Sequence, residues 1–261
     1  MTHSAITEQF AKIKEEGSGK KAFIPYIMAG EPSVSETVDI VLELEAMGAD
    51  VVELGVPFSD PVADGPTIQR AAMSALSRGV TLRKVIDMVK TIRQKSRIPI
   101  VLMTYFNPVL KFGLGNFVEA ALSNGVDGII IPDLPPDEEV DFTASCHKGG
   151  PDTIFLLAPT STDKRIGLVS RQSRGFIYYV SLTGITGSAI VIDDSLRARI
   201  EKIRAISKKP VAVGFGVKTK EDAATVAAVA DGVIVGSAIV KAIGQGQETF
   251  RTLVKSLRAA I

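Results

Sequence analysis

Short runs of apolar residues recur along the chain, each starting near a turn signal and each followed by a stretch with helical spacing of its apolar positions. Eight such runs are visible: 22–30 (AFIPYIMAG), 49–55 (ADVVELG), 98–105 (IPIVLMTY), 126–133 (VDGIIIPD), 152–159 (DTIFLLAP), 175–182 (GFIYYVSL), 210–216 (PVAVGFG) and 231–237 (DGVIVGS). Their nearly continuous Val/Ile-rich character fits strands buried on both faces of a parallel sheet. Between them the pattern predicts helices. One is capped by Ser33 and runs to about Met47 with Val34, Val38, Val41 and Leu42 as its apolar series. Others cover 82–94, 115–123, 136–147, 163–171, 195–206 and 220–228, and a short one covers 237–243. Strand and helix alternating eight times predicts a (β/α)8 barrel, with residues 1–261 as one domain. A doubly wound sheet is the runner-up, but no Gly-x-Gly-x-x-Gly turn follows the first strand. An extra N-terminal helix, with Ile6, Phe10 and Ile13 on one face, is expected to cover the bottom of the barrel.

Composition narrows the class. The chain has 261 residues, 46% hydrophobic and 23% charged, as expected of a globular protein with a large core. The net charge of +1 comes from interspersed acids and bases, so nothing favours nucleic acid or a membrane surface. A lone cysteine, Cys146, cannot form an internal disulfide, and neither a signal-type run nor a membrane-spanning run is present. A cytoplasmic location is expected.

Candidate chemistry gathers in ADVVELGVPFSDPVADGPTIQ (49–69). Glu53 sits inside an otherwise apolar strand, where an unpaired charge is costly, and Asp64 follows in a loop rich in Gly and Pro. Strand alternation sends Val51, Glu53 and Gly55 to one face and Val52 and Leu54 to the other, so Glu53 is expected to point into the barrel near its upper mouth. Two carboxylates in different surroundings can divide acid and base roles, the drier one holding the raised pKa. A structural salt bridge is the plainer alternative for a strand glutamate.

Two further clusters fall at the expected C-terminal ends of the strands, where barrels of this kind carry their active residues. TGITG (183–187), Gly214-Phe215-Gly216 and Gly236-Ser237 offer backbone amides in the places where this fold cradles phosphate, Ser237 opening a short helix. Tyr26, Met103, Tyr105, Tyr178 and Phe215 form an aromatic and apolar group that reads either as core or as a flat pocket. No lysine lies within the eight runs, which disfavours a Schiff-base nucleophile, and two histidines, His3 and His147, make a His-rich metal site improbable. Carboxylate acid–base chemistry on a phosphorylated substrate remains.

The segment ELGVPFSDPVADGPTIQ (53–69), with LMTYFNPV (102–109), PDLPPDE (132–138), LLAPTSTD (156–163), YYVSLTGITG (178–187), VGFGV (213–217) and GSAIVK (236–241), resembles the tryptophan synthase α-subunit family along the full length. The resemblance implies a retro-aldol cleavage of indole-3-glycerol phosphate to indole and glyceraldehyde 3-phosphate. By carry-over, Glu53 is the acid–base group and Asp64 receives the indole N–H. Gly187, Gly216, Gly236 and Ser237 hold the phosphate, Tyr26, Met103, Tyr105, Tyr178 and Phe215 surround the indole, and Thr186 belongs to a lid. At Leu182 the chain departs from the best-known bacterial members, which carry an arginine there. No metal and no cofactor are expected on this chain. The family implies a β subunit that carries pyridoxal phosphate and joins indole to serine in an α2β2 complex, with Pro57 and Asp60 facing it. The alternatives are a free-standing lyase that releases indole, a silent activator of the β subunit, and a generic phosphosugar isomerase on the same barrel.

Overall fold

The structure, a computed structural model, describes residues 4–17, 19–180, 194–214 and 216–261. Its sheet consists of β1 (Ala22–Met28), β2 (Val52–Gly55), β3 (Ile100–Met103), β4 (Gly128–Ile130), β5 (Asp152–Ile154), β6 (Leu156–Leu157), β7 (Ile177–Val180), β8 (Val211–Gly214) and β9 (Gly232–Val235). All pair in parallel in the order β5-β4-β3-β2-β1-β9-β8-β7-β6. The two ends of that order are one stretch of chain. β5 pairs with β4 on one side, β6 pairs with β7 on the other, and only Phe155 separates them. The sheet therefore closes on itself as a (β/α)8 barrel, with the fifth predicted strand broken into two short pieces. At the break the Phe155 N–H donates to Ser173 Oγ (3.3 Å), while its carbonyl accepts from the Tyr178 N–H (3.2 Å).

Around the barrel lie α2 (Val34–Ala46), α3 (Pro66–Ser77), α4 (Leu82–Ile92), α5 (Phe106–Phe112), α6 (Leu114–Ser123), α7 (Val140–His147), α8 (Asp163–Gln172), α9 (Asp194–Ser207), α10 (Lys220–Ala227), α11 (Ser237–Gln245) and α12 (Gln247–Arg258). The helical spacing did not predict α3, α5 or α12. The inner face of α3 is Ile68, Ala71, Ala72 and Ala75, and alanine buries well but marks a hydrophobic face weakly. In α5, Pro108 sits in the first turn, where a missing N–H costs nothing. The α2 face also differs from expectation: Thr37, Val38, Val41 and Leu44 are buried, whereas Val34 is exposed. Thr37 earns its burial by hydrogen bonding, its hydroxyl accepting from the Gly30 N–H and donating to the Ser33 carbonyl.

The barrel interior is its own apolar cluster, formed by Ala22, Ile24, Val51, Val101, Ile130, Ile154, Tyr178, Ala212 and Ile234 together with Ile6, Phe10 and Ile13 of α1 (Ala5–Glu15). The expected covering helix is thus a plug. Ile6 lies so close beneath Gly128 and Gly175 that a Cβ at either glycine would come within 3 Å of it. Each buried plug side chain is worth about 1.5–3 kcal/mol relative to exposure.

One device recurs at the bottom rim. Asp50, Asp127 and Asp231 each precede an even-numbered position of the eightfold barrel and accept a backbone N–H from the start of the strand before: Phe23 (2.8 Å), Ile100 (2.8 Å) and Val211 (2.9 Å). Each also pairs with an arginine: Arg258 of α12, Arg93 just after α4 and Arg204 of α9 respectively. Arg93 further donates to the carbonyls of Gly125 and Ile98, so one guanidinium ties together three chain segments. Order at this end holds the opposite rim in shape. Among the described residues, no helix is long and apolar enough to cross a membrane.

Candidate active site

Alternation along β2 puts Val51 in the barrel interior and Val52 and Leu54 in the outer core between sheet and helices, which carries Glu53 inward. Glu53 is 1% exposed, and its Oε2 finds no hydrogen-bond partner among the described residues. Burial, and secondarily the charge of Asp64, lifts its pKa from 4.5 to about 8. An acid so placed holds its proton at neutral pH and surrenders it to a strong enough acceptor.

Asp64 is half-buried and differently served. Burial raises its pKa too, but a hydrogen bond from the Tyr105 hydroxyl opposes the rise. The same Tyr105 oxygen accepts the Ala63 N–H (3.0 Å), so the loop after β2 is tied to the end of β3. Tyr105 is itself fixed by Phe58, whose ring stacks on it at 5.1 Å between centroids. Phe58 was not singled out in the sequence; the signal was an aromatic residue in the loop that carries Asp64. Burial and the Asp64 charge push the Tyr105 phenol well above its usual range, which keeps it a donor.

Two tyrosines roof Glu53 by the same means. Tyr26 is the Cα partner of Glu53 across the β1–β2 ladder, and its ring leans over Gly55, where a Cβ would lie 2.1 Å from its hydroxyl. Tyr178 on β7 leans over Gly214 of the neighbouring strand, where a Cβ would lie 2.4 Å from its hydroxyl. Only glycine leaves room for these rings. Both phenols are buried and shifted upward, first by desolvation and then by the two carboxylates. The structure therefore brings Glu53, Asp64, Tyr26, Tyr105 and Tyr178 into one electrostatic cluster. Met103, half-buried and paired with Gly55, borders it.

Two of the glycine candidates, Gly216 and Gly236, follow β8 and β9, neighbouring strands of which β9 pairs with β1. Gly236 stands against Tyr26, a Cβ there lying 3.5 Å from the tyrosine Cβ. It opens α11 without any side-chain cap, so the first amides of that helix are left to solvent or a ligand. Ser237, the first residue of α11, is exposed. Gly216, beyond β8, is exposed with φ +86°, a conformation that favours glycine. Gly187, Thr186, Leu182 and Phe215 lie outside the described residues. Of the two positions expected to face a partner, Asp60 is exposed and accepts from Ser59 Oγ (2.6 Å), while Pro57 is buried within the chain itself.

A family model described as "Tryptophan synthase alpha chain" matches residues 10–260. The chain belongs to the tryptophan synthase alpha chain family. A member from Geobacter sulfurreducens is 48% identical over 264 residues, covering 99% of this chain and 99% of the relative. Another, from Geobacter sp. (strain M21), is 48% identical over 91% of this chain and 88% of the relative. Among solved structures, tryptophan synthase subunit alpha from Legionella pneumophila str. Paris superposes with a TM-score of 0.91 at 38% identity, covering 100% of this chain and 99% of that one. Tryptophan synthase from M. tuberculosis, in an aminoacrylate-bound form, gives a TM-score of 0.89 at 36% identity over 99% of this chain and 100% of that one. Family membership thus rests on nearly the whole length, and every strand of the barrel and the carboxylate-bearing rim lie within the matched region.

Proposed function

We propose that the chain, acting as one barrel domain, cleaves indole-3-glycerol phosphate to indole and glyceraldehyde 3-phosphate as the α subunit of tryptophan synthase. The observation that carries this reading is Glu53, an inward-facing glutamate whose pKa of about 8 leaves it protonated and ready to act as an acid. Glu53 gives its proton to indole C3, making an indolenine that serves as the electron sink. The carboxylate then takes the proton of the glycerol hydroxyl on the carbon attached to C3. As that oxygen becomes a carbonyl, the carbon–carbon bond breaks and its electron pair restores the indole. Asp64, aligned by Tyr105, accepts the indole N–H and stabilises the positive charge while the ring is protonated.

In this reading the amides of Gly187, Gly216, Gly236 and Ser237 hold the phosphate. Tyr26, Met103, Tyr105, Tyr178 and Phe215 enclose the indole, and Thr186 closes over it. Support for the phosphate role comes from the uncapped start of α11 beside Tyr26. The partner is a β subunit holding pyridoxal phosphate, in a cytoplasmic α2β2 complex, with the exposed Asp60 on the facing side. The test is indole release from indole-3-glycerol phosphate, with and without a β subunit. Glu53→Gln is expected to lose ~10²–10⁴-fold in rate while remaining folded. Retained turnover in that variant removes Glu53 from the mechanism. Full activity without any response to a β subunit would favour the free-standing lyase.

A further inference from the structure

Inside the barrel, a buried acceptor without a partner among the described residues lies near the hydroxyl of Tyr26. The acceptor is Glu53 Oε2, buried and without a partner. The donor is the hydroxyl of Tyr26, a tyrosine only 6% exposed whose phenol feels the charges of Asp64 and Glu53. Their Cα atoms are partners in the β1–β2 ladder, so both side chains rise from the same level of the same inner face. Gly55, over which the hydroxyl lies, is two residues beyond Glu53 on its own strand, about 6.6 Å along. That span is within reach of a glutamate side chain extending upward. Around Glu53 the barrel interior is apolar, with Val101 its ladder partner on β3 and Ile6, Phe10, Ile130 and Phe176 in the same interior cluster. Asp64 is already served by Tyr105.

We infer that the Tyr26 hydroxyl is a positioning residue for Glu53: it donates to the carboxylate whenever Glu53 has given up its proton. While Glu53 is neutral, the contact gains little. Once the proton has moved to the substrate carbon, the carboxylate is a buried charge, and a charge-assisted hydrogen bond from the Tyr26 phenol stabilises it. The phenol keeps its own proton throughout and carries no step of the proton transfer. Its ring packs against the site; its oxygen steadies the anion and turns it toward the substrate hydroxyl that it must next deprotonate. This role rests on the lyase reading above. The titratable groups facing Glu53 are Tyr26 from β1, Tyr178 from β7 and Asp64 from the loop after β2, with Tyr105 beyond Tyr26.

The test is Tyr26→Phe in the full chain, which keeps the ring over Gly55 and removes only the oxygen. Two readouts are taken. The first is the Glu53 titration midpoint, followed through its side-chain carboxyl by carbon-13 NMR against Glu53→Gln to assign the signal. The midpoint is expected to rise by about one pH unit when the donor is lost. The second is indole formation, where kcat is expected to fall roughly tenfold with KM within about twofold, and the alkaline limb of the kcat profile to move upward with the titration. An unchanged midpoint overturns the inference, and so does an unchanged kcat with an unmoved pH profile. A fall in kcat without a shifted midpoint assigns the hydroxyl to substrate contact and overturns it equally. If the wild-type chain releases no indole, the lyase reading fails, while the titration still decides the link between hydroxyl and carboxylate.

Discussion

Glu53→Gln should stabilise the protein progressively as pH rises. Glu53 is 1% exposed, and burial with the Asp64 charge raises its pKa from 4.5 to about 8. The folded state therefore binds the proton more tightly than the unfolded chain. The stability so gained is complete below pH 4.5 and is lost as pH climbs through the folded pKa of about 8. At about 1.36 kcal/mol per pH unit, that window is worth on the order of 5 kcal/mol, of which about 3 kcal/mol has gone by pH 7. Glutamine has nearly the same shape but no charge to lose. Urea denaturation of both proteins from pH 4.5 to 9, followed by the near-ultraviolet circular dichroism of the tyrosines, isolates the effect, because other titrations cancel in the difference. The difference in unfolding free energy should grow in favour of the variant by about 1.4 kcal/mol per pH unit between pH 5 and 8, and flatten above. Parallel curves would mean that Glu53 titrates alike in both states, and the argument for a proton-holding acid would fail.

Asp127→Ala removes the partner of Arg93 and the acceptor of the Ile100 N–H, and is expected to cost about 3 kcal/mol in urea denaturation with indole formation retained per folded molecule. Gly55→Ala drives a methyl into the Tyr26 ring and should cost about 1–3 kcal/mol while impairing catalysis, and both effects should shrink in a Tyr26→Ala background.

Much of the fold was legible because parallel strands buried on both faces write themselves as unbroken apolar runs, and Glu53 interrupts one of them. Period-two alternation sufficed to aim it inward. What stayed hidden depended on contacts between distant segments or on weak patterning. The Tyr105–Asp64 link joins residues from different strand ends, and no local spacing encodes it. The lean of Tyr26 over Gly55 needs the register of two strands. Helix α3 was concealed by its alanines, and the break at Phe155 by an apolar run that reads straight through it. Pro57, expected to face a partner from the resemblance alone, is buried within the chain, which only the tertiary fold decides.

The plug formed by Ile6, Phe10 and Ile13 gives the molecule a blind end. Among the described residues the barrel bottom is filled, so whatever reacts above Glu53 comes and goes on the rim side. Traffic is therefore governed by whatever sits on the rim, and a second protein seated there would take custody of a small apolar product without needing any channel bored through the barrel itself.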